Sequence, residues 1–181
     1  MNKYPIHITS KITLEKLQKG LYLFVFRATK IPPHLGIIAN GKLYDISTVG
    51  PNIDLPVKDF YRTVLKRKTS VVFIELDQPM DVDLASIITE KVRNYWKVTS
   101  TTSCLSPIKD FIGEVYHINV DVARFVFELL PILFEKNLIK STSQVNLDNK
   151  LINNIFELTK YSEDDIENCI VAIQRKEKAV C

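Results

Sequence analysis

The dipeptide Asn40-Gly41 constrains the fold of this sequence more than any other feature, because it stands between two apolar runs, HLGIIA and KLYDIS. Asparagine and glycine both tolerate positive φ, which a two-residue turn between antiparallel strands requires. The pattern therefore predicts a β-hairpin over residues 34–47.

The register of this hairpin brings a histidine and a carboxylate together. With a two-residue turn, positions whose numbers sum to about 81 face each other, so Gly36 lies opposite Asp45 and His34 lies opposite Ser47. Asp45 is then diagonal to His34 on the same face of the sheet. The spacing permits a contact between the imidazole and the carboxylate but does not require one.

Apolar runs and helical periodicity predict the elements around the hairpin. They indicate a short helical turn at 12–20, strands at 21–28 and 70–76, a loop at 47–56, and helices at 57–68, 81–96 and 104–116. After Tyr116 the pattern predicts only helices, the first being interrupted at Pro131 or divided into a pair. The chain is thus predicted to be an α+β unit over residues 1–117 with a helical extension over residues 118–181.

Composition places few limits on function. The 181 residues are 46% apolar and 25% charged with a net charge of +3, which is ordinary for a globular chain with a substantial core. There is no basic stripe with interleaved aromatic residues, so nucleic acid is not an expected partner. Neither a secretory signal nor an apolar run of the roughly 18 residues needed to span a bilayer is visible.

The three cysteines, Cys104, Cys169 and Cys181, are free thiols in this interpretation. An odd number without a secretory signal favours a reducing, cytoplasmic location. No two cysteines have metal-ligand spacing and the chain has only three histidines, so neither a metal nor another cofactor is expected. Cys169 shares a helix face with isoleucines and is predicted to be core, whereas the terminal Cys181 is predicted to be exposed.

Cys104 has the setting of a nucleophile. It follows a polar loop, KVTSTTS, at the predicted start of a helix. A reactive thiolate is usually stabilised by a helix N-terminus and a nearby imidazole, whose second ring nitrogen is oriented by another polar group. His34 is the candidate base, and Asp45 is the candidate orienting group, with Tyr44 or Ser47 as alternatives.

The stretch LEKLQKGLYLFVF…PPHLGIIANGKLYDIS resembles the histidine-bearing half of the NlpC/P60 papain-like cysteine hydrolases. The resemblance covers residues 12–48 well and 104–116 loosely. In the ordinary family the cysteine helix precedes this segment, whereas here Cys104 follows His34. That order is similar to the circularly permuted branch, which includes the YiiX/YaeF-like and LRAT-like groups. The sequence departs from the family at Leu21, where an aspartate is usual, and in its apolar tail.

The resemblance implies a permuted papain-like α+β fold, in which a small antiparallel sheet packs on helices. It also implies an enzyme: a cysteine hydrolase or acyltransferase that attacks an amide, ester or thioester. Cys104 would be the nucleophile, with its backbone N–H as an oxyanion donor, and His34 would be the general base. The expected substrate is a small molecule, a peptide or an acyl or lipid group.

The alternative is a catalytically silent module with the same fold. In that case the apolar run RFVFELLPILF would bind a partner or associate with a second copy into a homo-oligomer, unless it is core. The spatial relationship between His34 and Cys104 distinguishes the two hypotheses, since only the enzyme needs the thiol to lie beside the imidazole in an open cleft.

Overall fold

The computed structural model of the protein describes residues 2–179, which form ten strands and six α-helices. The strands are β1 (Lys3–His7), β2 (Ser10–Lys11), β3 (Leu21–Phe26), β4 (His34–Ala39), β5 (Lys42–Ile46), β6 (Pro51–Pro56), β7 (Val71–Leu76), β8 (Ile139–Val145), β9 (Leu151–Ile152) and β10 (Ile155–Thr159). The helices are α1 (Leu14–Leu17), α2 (Val57–Lys66), α3 (Leu84–Tyr95), α4 (Ser106–Tyr116), α5 (Val126–Glu135) and α6 (Glu163–Ala179).

Seven strands form the main sheet in the order β2-β8-β7-β3-β4-β5-β6. All neighbours are antiparallel except β2 and β8, which are parallel. A smaller antiparallel sheet has the order β1-β10-β9. The α+β class is confirmed, but the predicted small sheet is wrong, because the main sheet is large and contains a parallel pair.

Strand β3 lies at the centre of the sheet and is buried on both faces, which explains its uninterrupted apolar sequence LYLFVF. Alternate side chains belong to two separate cores. Leu21, Leu23 and Val25 join the core that includes α3, α4 and α5. Tyr22 and Phe24 join the second core, to which α1 and α2 contribute. The sheet is therefore sandwiched between two layers of helices.

The predicted hairpin is confirmed. Asn40 and Gly41 have φ angles of 46° and 82°, as a two-residue turn of this type requires. The register is the predicted one over the pairs Ile37–Tyr44, Ile38–Leu43 and Ala39–Lys42.

The predicted strands at 21–28 and 70–76 correspond to β3 and β7, and the predicted helices correspond to α2, α3 and α4. Asp83 caps helix α3, since its side chain accepts a hydrogen bond from the Ser86 N–H at 3.1 Å. In α4, Pro107 occupies the first turn, where its missing N–H leaves no hydrogen bond unmade.

The prediction that residues 118–181 are entirely helical is wrong. Strand β8 pairs with β7 inside the main sheet, so this segment completes the sheet as well as covering it. β9 and β10 form a hairpin through Asn153 and Asn154, whose φ angles are 51° and 61°. Two consecutive asparagines supply positive φ as Asn-Gly does, and they are a local turn signal between the two strands.

Two local predictions also fail. Residues 51–56 form β6 and not a loop, because prolines at positions 51 and 56 are tolerated on a strand at the edge of a sheet. Helix α5 continues through Pro131 without interruption. Most of its apolar side chains are buried in the chain's own core, as are Val126, Leu129, Leu130 and Leu133.

Within the range that the structure describes, no helix is both long enough and apolar enough to cross a bilayer. Cys181, predicted to be exposed, lies outside that range.

Candidate active site

His34 is the first residue of β4 and faces Asp45 across the hairpin. Its Nε2 atom lies 3.0 Å from Asp45 Oδ2. The histidine side chain is 30% exposed and the aspartate side chain is only 7% exposed, so the carboxylate is largely shielded from water. The contact that the register permitted is therefore present.

Gly36 leaves the space in which this contact forms. A Cβ atom added at Gly36 would lie 2.8 Å from the Cβ of Asp45 and would overlap the ring of Phe24. A side chain at position 36 would therefore displace Asp45 or the buried Phe24, which explains why this strand carries a glycine at its centre.

Asn52 donates a hydrogen bond to the second carboxylate oxygen of Asp45. Its Nδ2 atom donates to Asp45 Oδ1 at 2.7 Å, and the two residues are cross-strand partners between β5 and β6. Both carboxylate oxygens are thus hydrogen-bonded, as a buried charged group requires. The loop predicted at 47–56 gives no reason to expect Asn52 beside Asp45, so this residue is not among the predicted site residues.

Cys104 lies two residues before α4, at the end of the polar loop. The loop is tied to the His34 hairpin by a hydrogen bond from the Val98 N–H to the Ser47 carbonyl oxygen at 2.9 Å. Ser103 and Ser106 bond reciprocally around Cys104, through the Ser103 N–H to Ser106 Oγ at 3.3 Å and the Ser106 N–H to the Ser103 carbonyl oxygen at 3.1 Å. These local bonds hold the turn that presents the thiol.

Cys104 and His34 line one cavity of about 310 Å³, although they are far apart in sequence. The cysteine is half-buried and free. The structure therefore brings together three of the predicted site residues, namely Cys104, His34 and Asp45.

The protonation of His34 reflects both neighbours. Burial alone would lower the pKa of His34, but the hydrogen bond with Asp45, the neighbouring Cys104 and the charge of Asp45 raise the pKa from 6.5 to about 10. His34 is consequently a stable imidazolium near neutral pH. Because Nε2 is occupied by Asp45, Nδ1 is the ring nitrogen left for the sulfur.

The two alternative orienting groups make other contacts. The Tyr44 hydroxyl donates to Asp54 Oδ1 at 3.3 Å. Ser47 Oγ donates to the Gly50 carbonyl oxygen at 3.0 Å and closes the turn before β6. Of the three candidates, Asp45 is the one that the structure places against the imidazole.

Helix α6 contributes two further features of the cavity. Cys169, predicted to be core, is half-buried and lines the same cavity as Cys104. Tyr161, just before α6, is buried and also lines it. Burial and then the charge of Cys104 raise the pKa of Tyr161, so its hydroxyl keeps its proton. The sequence carried no signal for either placement, because both depend on how α6 packs.

Among residues 2–179, no group of three or more His, Cys, Asp or Glu side chains is assembled as a metal site. No protein-family model, no curated protein and no solved structure matches the chain. The assignment of a function therefore depends on the site geometry.

Proposed function

We propose that this protein is a cysteine hydrolase or acyltransferase in which Cys104 attacks an amide, ester or thioester carbonyl. The observation that carries the proposal is the convergence of Cys104 and the His34–Asp45 pair on one cavity. This arrangement supplies a nucleophile, a histidine that can act as general base and general acid, and a carboxylate that orients the histidine.

In the first half of the reaction the Cys104 sulfur, as a thiolate paired with the His34 imidazolium, forms a bond to the carbonyl carbon. The carbonyl π electrons move to oxygen and give a tetrahedral oxyanion. As this collapses, the bond from carbon to the leaving nitrogen, oxygen or sulfur breaks, and the His34 imidazolium gives its proton to the leaving group. The product is an acyl group on Cys104.

In the second half the neutral His34 imidazole takes a proton from water, or from an acceptor alcohol or amine, as that nucleophile attacks the acyl carbon. Collapse of the second tetrahedral species breaks the carbon–sulfur bond and returns the thiolate–imidazolium pair. Asp45 keeps its charge throughout and stabilises the imidazolium, and Asn52 keeps Asp45 in place.

Two groups could stabilise the oxyanion. The backbone N–H of Cys104 is the donor expected from the sequence, since it moves with the nucleophile. Tyr161 lines the same cavity and is the second candidate. We assign Cys104 N–H as the main oxyanion donor and Tyr161 as an additional one.

The same proposal includes a permuted papain-like arrangement of the NlpC/P60 type. It is supported by chain order, because the histidine strand β4 precedes the Cys104 turn and α4. The main sheet is antiparallel around the histidine, with α4 packed on one face.

A silent binding module is the competing proposal. It is favoured by the raised pKa of His34, because a stable ion pair with Asp45 would persist without any turnover. Its predicted binding surface is small, however, since most apolar residues of α5 are buried and Phe134, at 72% exposure, is an exception.

The test is alkylation by iodoacetamide from about pH 4 to about pH 9, with the modified cysteine located by peptide mass mapping. We expect Cys104 to react selectively below about pH 7, where an ordinary thiol is almost fully protonated. His34→Ala should abolish this reaction, whereas His7→Ala, which removes an exposed histidine from β1, should not.

The same preparations are then assayed on chromogenic esters and thioesters. Turnover that requires both Cys104 and His34 supports the enzyme. Rapid alkylation without turnover on any substrate would favour the silent module. A Cys104 that reacts no faster than an ordinary thiol would contradict both halves of the mechanism.

A further inference from the structure

One wall of the Cys104 cavity is a single face of α6. Ile166, Cys169, Ile170 and Ile173 all line the cavity. Their spacing places them on one side of the helix. The residues between them, such as Glu167 and Asn168, are exposed. The helix therefore presents an apolar stripe to the space that the thiol also faces.

The rest of the cavity wall is also largely apolar. Phe26, Pro33, Leu35 and Val98 contribute, together with Leu105 beside the nucleophile. The volume of about 310 Å³ is at the lower end of the range for small-molecule sites. The apolar part of this space suits a short hydrocarbon group, while Arg27 and Arg124, which also line the cavity, could attract only an anionic group.

Ile170 lines this cavity and a neighbouring one. The neighbouring cavity has a volume of about 460 Å³, and Thr48, Val98 and Ile170 line both. Lys97, Ser100 and Gln174 make this neighbouring space polar. Ile170 is 7% exposed and is shared by both cavities, so its buried side chain is part of the boundary between an apolar and a polar compartment.

We propose that the apolar face of α6 is the specificity wall of the site, which holds a short unbranched alkyl chain of the substrate, and that Ile170 sets the length accepted. This inference rests on the proposed function, because it assumes that the group bound here is attached to the carbonyl that Cys104 attacks. Truncating Ile170 would join the two cavities and admit a longer chain.

The experiment uses N-alkylmaleimides of increasing chain length, which add to a thiol without needing any catalytic turnover. The 181-residue protein carries Cys169→Ser and Cys181→Ser, so that Cys104 is its single thiol. Rates are divided by the rate with iodoacetamide, which reports thiol reactivity alone. If the wall binds the alkyl chain, the normalised rate rises with each methylene, by up to about fourfold for full burial, and then stops rising.

Ile170→Ala should increase the chain length at which the normalised rate stops rising, and Ile170→Val should increase it less. Asn168→Ala, on the exposed face of the same helix, should leave it unchanged. If Ile170→Ala does not fold, Ile170→Val still tests the shift. Rates that are independent of chain length, or an end point that Ile170 substitutions do not move, would overturn the inference.

The two proposals fail separately. Absence of hydrolysis together with a chain-length dependence would leave the wall in place and remove the enzyme. Hydrolysis together with flat maleimide rates would keep the enzyme and remove the wall.

Discussion

His34 and Asp45 occupy adjacent strands of one hairpin, and the 3.0 Å contact between Nε2 and Oδ2 is set by a two-residue turn only a few residues away. The contact is therefore local in sequence, although its consequences extend to Cys104. Asp45 holds one ring nitrogen and thereby leaves Nδ1 free for the sulfur. The carboxylate also supplies charge that keeps the imidazole protonated.

Replacing Asp45 with asparagine should lower the pKa of His34, because the amide keeps the shape of the side chain but removes its charge. The measurement is an NMR titration of the His34 ring protons. Alkylation of Cys104 near pH 6 should slow by on the order of tenfold or more, because the His34 imidazolium that stabilises the thiolate loses its carboxylate partner. Asp54→Asn is the control, since Asp54 bonds Tyr44 and not the histidine. An unchanged His34 titration would contradict the assigned role of Asp45.

Stability should fall as pH rises from about 6.5 to about 10. The folded pKa of His34 lies above its unfolded value, so the folded state binds this proton more tightly. The contribution is fully present below pH 6.5 and is lost as pH passes through the folded pKa. Urea unfolding at a series of pH values measures it.

Lysines and tyrosines also titrate near the upper end of this range, so the informative quantity is the difference between wild type and His34→Gln. We expect this difference to shrink as pH rises through the window. A difference that stays constant over that range would show that His34 is not the source of the pH dependence.

Asn52→Ala should destabilise the fold by about 1–3 kcal/mol, because it leaves one oxygen of a buried carboxylate without its donor. The charge of Asp45 remains, so the His34 titration should still show a raised pKa. Chemical denaturation gives the first quantity and NMR the second. Asn168→Ala, an exposed asparagine on α6, is the matched control. If Asn52→Ala leaves the free energy of unfolding unchanged, water must replace the amide as the donor to Asp45 without loss.

Gly36→Ala should destabilise by about 1–3 kcal/mol, since its methyl group would overlap the Phe24 ring and approach Asp45 Cβ. Displacement of Asp45 should also slow Cys104 alkylation at low pH. Gly113→Ala in α4 is the comparison, because its nearest neighbour is the Ile118 carbonyl oxygen at 3.3 Å and alanine favours a helix. Equal changes in the free energy of unfolding for the two substitutions would contradict the close approach at Gly36.

The elements that the sequence predicted correctly are those whose signals are local. The Asn40-Gly41 turn fixes the register of its own hairpin, and that register alone places Asp45 diagonal to His34. The helix start at Asp83 and the proline in the first turn of α4 are similarly local. Chemistry within a few residues is enough to specify such features.

The errors arise where pairing with another strand decides the structure. The stretch IKSTSQV of β8 is mostly polar and has no strong period, yet it is a strand because β7 and β2 offer hydrogen bonds on both sides. β6 is a strand because it pairs with the neighbouring strand β5, even though β6 contains two prolines. Intrinsic preference is weak in both cases and the sheet overrides it.

The sequence by itself determined the hairpin register that places Asp45 diagonal to His34, because one short turn sets that register; it permitted the contact between them without requiring it. Only the tertiary structure decided that Cys104 joins that pair, that Asn52 holds Asp45 and that α6 walls the cavity. The contacts of Cys104 and of α6 join segments far apart in the chain, whereas Asn52 is only seven residues from Asp45 and depends on the pairing of β6 with β5. Closing such loops costs conformational entropy, which burial of the shared core offsets, so no local pattern could announce them.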